Sequence, residues 1–463
     1  LSLAPADSLD ELLSCQQEAL RGPDRHDLIS TVAMAAQTRH EWSTDLAAAL
    51  ARRELWDTDL WVSLTRAWRE TELNEAQIGE IFGFLAATGL SRAHAARVAD
   101  LLLSWLEKSN TPPDGILLAQ ANAIADRLWD LMDRDPAPGS CESWHSAATG
   151  RPAGTLARYW LRQRSILRAC LDAVPQSFLD EVCNALSMIV RDPSTAGKQG
   201  TAVLAGQLAF LLDAEEDWTR AHLLPRFSEH PDTEGYWPVW DGFLTTGRLT
   251  PALAPLLEGA FLDALPRMLT RFNSDRRLDR FVDLFTGILA YFSDDPVGTW
   301  VPAFFSDATR AARLRFASEI ERHLRRMDDA QQREWWERWL QRYWTNRIEG
   351  VPALLDDGEN ALMFRCLPAL KSNFTAAVEL ALRMPPVPLS ASRIMYDLDR
   401  GEHWRETPEP VAKLVVHLGK KASPASVWHG AREVLVRLLS RNLPDDLRKQ
   451  LLELATRLGL SVS

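Results

Sequence analysis

Cys141 and His145 stand four residues apart, with Glu142 beside the cysteine. A histidine that takes the thiol proton would turn such a cysteine into a reactive thiolate. No orienting third group is identifiable around the pair, and no cysteine-hydrolase signature surrounds it. Two polar loop residues are the preferred reading, and no catalytic residue is assigned. The ten histidines form no HExxH or HxH pair and no CxxC occurs, so zinc-ligand spacing is missing. His222 with His230, and Glu402 with His403, read as surface neighbours. There is neither a GxxxxGK[ST] loop nor a GxGxxG turn. The expectation is a chain that is not an enzyme and holds no metal or cofactor of its own.

Two basic clusters invite a nucleic-acid reading: Arg276-Arg277 with Arg280, and Arg322-His323 with Arg325-Arg326. Each is interleaved with acids (Asp275, Asp279, Glu319, Glu321, Asp328, Asp329), the pattern of ion pairs on helix surfaces. A phosphate-tracking groove needs an excess of positive charge that this part of the chain lacks. Nucleic acid is therefore not expected as a partner.

A smaller anion has one candidate place, Gly150-Arg151-Pro152-Ala153-Gly154-Thr155-Leu156-Ala157-Arg158-Tyr159-Trp160. Pro152 suits a first helical turn, where its missing N–H costs nothing. Gly150 and Gly154 permit a tight backbone or close helix approach. An open helix N-terminus flanked by Arg151 and Arg158 could hold an anion, although a tight corner between packed helices explains the same residues and is favoured. Partner binding has a second candidate in the aromatics. Among 18 tryptophans, many fall on apolar stripes, including Trp61, Trp68, Trp105, Trp129 and Trp160, and read as fillers of the seams between helices. Tyr236-Trp237-Pro-Val-Trp240 and Trp335 are the places where an exposed aromatic surface is most plausible. In the run 335–344, residues 336, 339, 340 and 343 share one helical face, which points Trp335 sideways.

The elements that must position these residues are helices almost throughout. Leu60, Trp61, Leu64 and Trp68 form one stripe. Val98, Leu101, Leu102, Trp105 and Leu106 form another, with Ser91 as its expected N-cap. Leu117, Ala121, Ile124, Leu128 and Leu131 form a third, opened by Asp114. Further helices are expected near 177–190, 201–214, 253–271, 279–292, 308–327, 331–346, 360–384, 411–418, 428–441 and 444–458, with a short one around 393–398. No period-two run bounded by hairpin turns is found. The expected class is all-α, as an irregular α-solenoid of HEAT-like helix pairs or as stacked helical bundles. Stretches 133–154 and 385–410 suggest boundaries, giving an acidic N-terminal array at 1–140, a central array at 141–384 and a C-terminal segment at 385–463.

Charge divides the same way. Residues 1–150 carry 23 acidic and 12 basic side chains, so the whole net charge of −11 sits in the first third. Such a surface repels nucleic acid and membrane headgroups and attracts basic partners, although solubility alone also explains it. The apolar stretches are too short to span a bilayer. Five scattered cysteines suit a reducing cytosol. The chain opens on Leu1, so a piece of a longer or processed polypeptide is expected.

Three blocks carry a family resemblance: the Gly150–Trp160 segment, Trp237-Pro-Val-Trp-Asp-Gly-Phe-Leu244, and Thr407-Pro-Glu-Pro-Val-Ala-Lys-Leu-Val-Val-His-Leu418. They resemble a bacterial helical domain of unknown function, number 4020, with Arg151 where the family pattern has histidine. That resemblance implies a helical region following a Sir2-like NAD-hydrolysing domain in antiphage defence proteins. The chain would then be a cytoplasmic sensor that binds a foreign, phage-derived protein and controls an N-terminal effector absent from this sequence. A structural scaffold that mainly forms homo-oligomers is the alternative.

Overall fold

Side-chain caps mark where many helices begin. Asp24 and Asn74 each accept the backbone N–H three residues on, from Asp27 at 2.9 Å and Gln77 at 3.0 Å, and both close capping boxes. Asp114 caps its helix as expected, accepting from Ile116 N at 2.8 Å. Thr309 and Asp328 do the same further along. The chain is described by a computed structural model over residues 5–15, 24–89, 93–109, 113–132, 143–169, 175–272, 276–386, 392–421 and 430–462. It is all-α, and no strand occurs among the described residues. No helix among them is long and apolar enough to cross a membrane.

Two compact units divide at Thr250 and Pro251. In the first, α1 is Pro5–Ser14, α2 Arg25–Thr38, α3 His40–Arg52, α4 Leu60–Glu70, α5 Glu75–Ala87, α6 Ala95–Lys108 and α7 Gly115–Asp130. They are followed by α8 Trp144–Ala148, α9 Pro152–Arg168, α10 Gln176–Arg191, α11 Thr195–Gly206, α12 Leu208–Ala214 and α13 Tyr236–Thr246. A row α2–α4–α6–α9–α11–α13 forms its spine, each helix packed on the next. The expected boundary at 140/141 and the Ser91 cap both lie outside the described residues.

The second unit contains α14 Ala254–Arg271, α15 Arg276–Tyr291, α16 Val301–Asp307, α17 Arg310–Leu324, α18 Asp329–Trp335, α19 Gln341–Ile348 and α20 Asp357–Cys366. It ends with α21 Phe374–Ala381, α22 Ser392–Arg400, α23 His403–Glu406, α24 Pro408–Gly419, α25 Ala431–Leu439 and α26 Asp445–Arg457. Its spine is the row α15–α17–α20–α22–α25, and the expected boundary at 384/385 falls inside this unit. An aromatic chain supports the row from within: Phe285 meets Phe304 at 5.4 Å, Phe304 meets Phe316 at 5.0 Å, and Phe316 meets Tyr343 at 5.9 Å. Each such pair adds about 0.5–1.5 kcal/mol beyond area burial. Arginine–carboxylate pairs join the same helices, one of them at the buried Glu359. Arg322 of α17 reaches Asp283 of α15, Arg313 of α17 holds Glu359 of α20 at 2.7 Å, and Arg325, the C-cap residue of α17, holds Asp397 of α22 at 2.7 Å. Of the two basic clusters, Arg280 is held by Asp283 on its own helix, and Arg322 and Arg325 are held by carboxylates.

Trp335 corrects the sideways placement. It is 2% exposed, and Trp336, Trp339, Leu340, Tyr343 and Trp344 are buried with it. The reason is a π turn over Trp336–Leu340, between α18 and α19. A π turn closes i→i+5 bonds and adds a residue to one turn, which rotates the flanking segments relative to a continuous α-helix. Residues on both sides of the bulge thereby face the core.

Candidate functional site

Asp241 sits in the apolar helix α13 with only 3% of its surface exposed. A buried carboxylate needs donors, and α8 supplies them. Ser143 Oγ donates to Asp241 Oδ2 at 3.0 Å, and the His145 backbone N–H donates to the same oxygen at 2.8 Å. These bonds pin the start of α8 to α13 across nearly one hundred residues of sequence. Sequence reading missed Asp241; the available signal was a lone acid inside the run Trp-Pro-Val-Trp-Asp-Gly-Phe-Leu. Replacing it with alanine should cost about 1.5–3 kcal/mol, the usual worth of bonds to a charged group. Urea unfolding of Asp241→Ala against Asp241→Asn measures this, with the asparagine variant expected to lose less.

From α8 the chain turns through Gly150, at φ +74°, into α9, where Pro152 occupies the first turn. A Cβ on Gly154 would collide with the Ala148 carbonyl, so the glycine allows α8 and α9 to touch backbone to backbone. The segment is a tight helical corner. Ala153, Gly154 and Thr155 are buried, and Thr155 Oγ1 contacts Asp100 Oδ1 at 3.3 Å. The N-terminus of α9 is thus covered rather than open to an anion. Arg151 is exposed at the N-cap and its side chain makes no capping bond.

Arg158 lies instead on the flank of α9, lining a cleft of about 350 Å³. Its Nε and Nη2 approach Gly154 O at 3.4 Å and Thr155 Oγ1 at 3.3 Å. One turn on, Arg162 donates to the carbonyls of Leu106 at 3.3 Å and Ser109 at 3.1 Å, at the C-terminal end of α6. His145 lines the same cleft, its Nε2 3.5 Å from Thr246 Oγ1. Burial pushes the His145 imidazole below its ordinary range, and the nearby Arg158 charge adds to this against the pull of Asp241. The ring is therefore neutral near pH 7. Cys141 and Glu142, the other members of the expected pair, lie outside the described residues.

A second, larger groove of about 610 Å³ runs between α4–α5 and α6–α7. Trp68, Phe82, Trp105 and Leu117 line it, with Phe82 and Trp105 meeting edge to face at 5.0 Å. Lys108 also lines it and donates to Arg69 O at 2.5 Å and Thr71 O at 3.2 Å. Glu70 is engaged by Arg66 at 2.8 Å, which holds its carboxyl below the usual range. Glu72 and Glu75 are exposed at the rim and have no ion-pair partner among the described residues.

The aromatic candidates are placed otherwise than an exposed surface requires. Tyr236 and Trp240 are fully buried and Trp237 is half-buried. Trp240 donates to Phe227 O at 3.2 Å and packs edge to face on Phe227 at 5.0 Å, while Tyr236 packs on Trp237 at 4.9 Å. Tyr236, Trp240 and Trp335 are core, because large aromatics at helical spacing fill inter-helix seams before they face water, and Trp237 is half-covered beside them.

Asp283, Glu319 and His323 bring potential metal-ligand atoms within 4.8 Å of one another. Arg280 and Arg322 already engage Asp283, while Arg315 and Arg322 engage Glu319. Three guanidiniums against two carboxylates oppose a further cation. Cys183 is half-buried and pushed up to about 11 by burial, away from the thiolate a nucleophile needs.

No curated protein matches the chain. Residues 291–434, which take in the Thr407–Leu418 block but neither Gly150–Trp160 nor Trp237–Leu244, match the family model described as a domain of unknown function, DUF4020.

Proposed function

We propose that this chain is the recognition and regulatory region of a bacterial defence protein. It binds a protein partner, a phage protein by the family resemblance, and relays that binding to an attached effector, a Sir2-like NADase by the same resemblance. The groove lined by Trp68, Phe82 and Trp105 and rimmed by Glu72 and Glu75 carries this reading. Only edges of the largely buried Trp68, Phe82 and Trp105 reach this groove, and with Glu72 and Glu75, which have no ion-pair partner among the described residues, they suit a partner segment with an apolar anchor and adjacent lysine or arginine. The net charge of −11 over residues 1–150 adds long-range attraction for the same partner. Relay follows only when the partner binds one arrangement of the helices better than another.

The test uses the intact protein in bacteria challenged with phage. Glu72→Lys with Glu75→Lys should abolish protection, while Glu453→Lys, an exposed acid on α26, should leave it intact. Protection that survives the double reversal, or is absent from the start, removes the proposal. Sedimentation separates the scaffold alternative, which requires a stable oligomer without any partner.

A further inference from the structure

The small cleft on α9 carries two arginines: Arg162 is spent on the carbonyls that end α6, whereas Arg158 is engaged only through Nε and Nη2. Arg158 and Arg162 are i,i+4 neighbours, a spacing at which like charges repel. Neither has a carboxylate within ion-pair distance among the described residues, whereas the arginines of α17 are paired with acids. The Arg158 Nη1 has no hydrogen bond among the described residues, so part of its guanidinium is available at the cleft wall. Glu107 also lines the cleft and Asp241 acts on the neutral His145, so an anion is held there by the open donors of Arg158 rather than by an excess of positive charge. Below them the floor is apolar, built from Leu103, Leu161, Val203 and Phe210. A volume of about 350 Å³ lies at the small end of ligand sites, room for one ring or a short chain.

We propose that this cleft binds a small organic anion, a carboxylate or phosphate carried on an apolar ring or short chain. Arg158 takes the anionic group through its outer N–H groups. The neutral His145 and Thr246 offer hydrogen bonds beside it, and the apolar floor takes the body. The site is separate from the acidic groove proposed for a protein partner, and either can fail without the other.

The test titrates the full chain with phenyl phosphate, inorganic phosphate and benzyl alcohol, followed by calorimetry and saturation-transfer NMR. Phenyl phosphate should saturate, and each of the other two should bind at least about tenfold more weakly, since each lacks one half of the recognition. Arg158→Gln, an exposed substitution checked for unchanged helicity, should weaken phenyl phosphate about tenfold. Arg168→Gln, on the same helix but outside the cleft, should not. The proposal is overturned if phenyl phosphate fails to saturate by about 10 mM, if inorganic phosphate or benzyl alcohol matches it, or if Arg158→Gln binds like the parent.

Discussion

Glu359→Ala should be among the most destabilising single substitutions in this chain, at about 3–5 kcal/mol. The carboxylate is 1% exposed and sits between two guanidiniums, with Arg347 Nη2 at 2.6 Å and Arg313 Nε at 2.7 Å. Arg347 itself has no exposed surface. It packs 4.4 Å from the Phe305 ring and donates to the carbonyls of Ala353 and Leu354. Removing the acid leaves a dry guanidinium without its counter-charge, and that desolvation cost dominates the loss. The double variant Arg347→Met/Glu359→Leu removes both charges and should recover much of the stability, because apolar groups of similar volume replace a buried pair at little cost. Urea midpoints measure all three proteins. Glu216→Ala, which breaks the exposed Arg220–Glu216 pair, should cost less than about 1 kcal/mol. A Glu359→Ala midpoint within that smaller range would show that the pair is not desolvated in solution.

The contrast between these pairs marks what was legible in the sequence. Interleaved acids and bases announced ion pairs along 319–329, yet spacing alone could not separate Glu359, buried between two helices, from Glu216 on a surface. Burial depends on which helix lies opposite, and that is a tertiary fact. Helices with caps read well: Asp114 and Pro152 opened the segments expected of them. Three breaks were hidden. The run expected over 201–214 divides at Gln207, and the run over 360–384 divides after Cys366, where Pro368 enters a short 3-10 turn. The run over 331–346 holds the Trp336–Leu340 π turn. Apolar periodicity continues through all three, because both sides of each break still face the core. Pro368 was a visible warning, since its ring removes a backbone donor; the π turn has no comparable residue-level signature.

The candidate sites were legible only in part. His145 and Arg158 were picked out for separate reasons, and the fold brings them to one cleft. Arg162, Thr246 and Asp241 were not found, because the cleft is assembled from helices far apart in the chain. The aromatic residues failed in the opposite direction. Composition marks Tyr236, Trp240 and Trp335 as costly side chains that need a purpose, but burial and recognition are served by the same surface area. The acidic rim was foreshadowed by the charge count over residues 1–150, although that count could not place Glu72 and Glu75 beside an aromatic floor.

Gly242→Val should be the second severe lesion, and its sign is set by geometry rather than by helix propensity. Gly242 on α13 faces the Ala202 backbone of α11, and a Cβ there would overlap the Ala202 carbonyl oxygen. The contact is reciprocal. Gly206 of α11 faces Thr246 of α13, so each helix presents two small residues four apart to the other. Backbone rather than flexible side chain occupies the space next to Gly242, so the helices must separate to admit any side chain. Overpacking of this kind costs about 1–3 kcal/mol and occasionally more, and valine belongs at the upper end. Gly242→Ala should also be destabilising despite the roughly 1 kcal/mol that alanine gains over glycine within a helix. Gly83 on α5 is the control, because its Cβ would meet nothing within 4 Å; Gly83→Ala should be neutral or stabilising. Thermal and urea unfolding of the three variants give the comparison. The α11–α13 crossing also supplies Val203, Gln207 and Thr246 to the small cleft, so Gly242→Ala should weaken phenyl phosphate binding as it lowers stability. Equal stabilisation by alanine at 242 and at 83 would mean that the two helices do not meet backbone to backbone, and the cleft they wall would lose its basis.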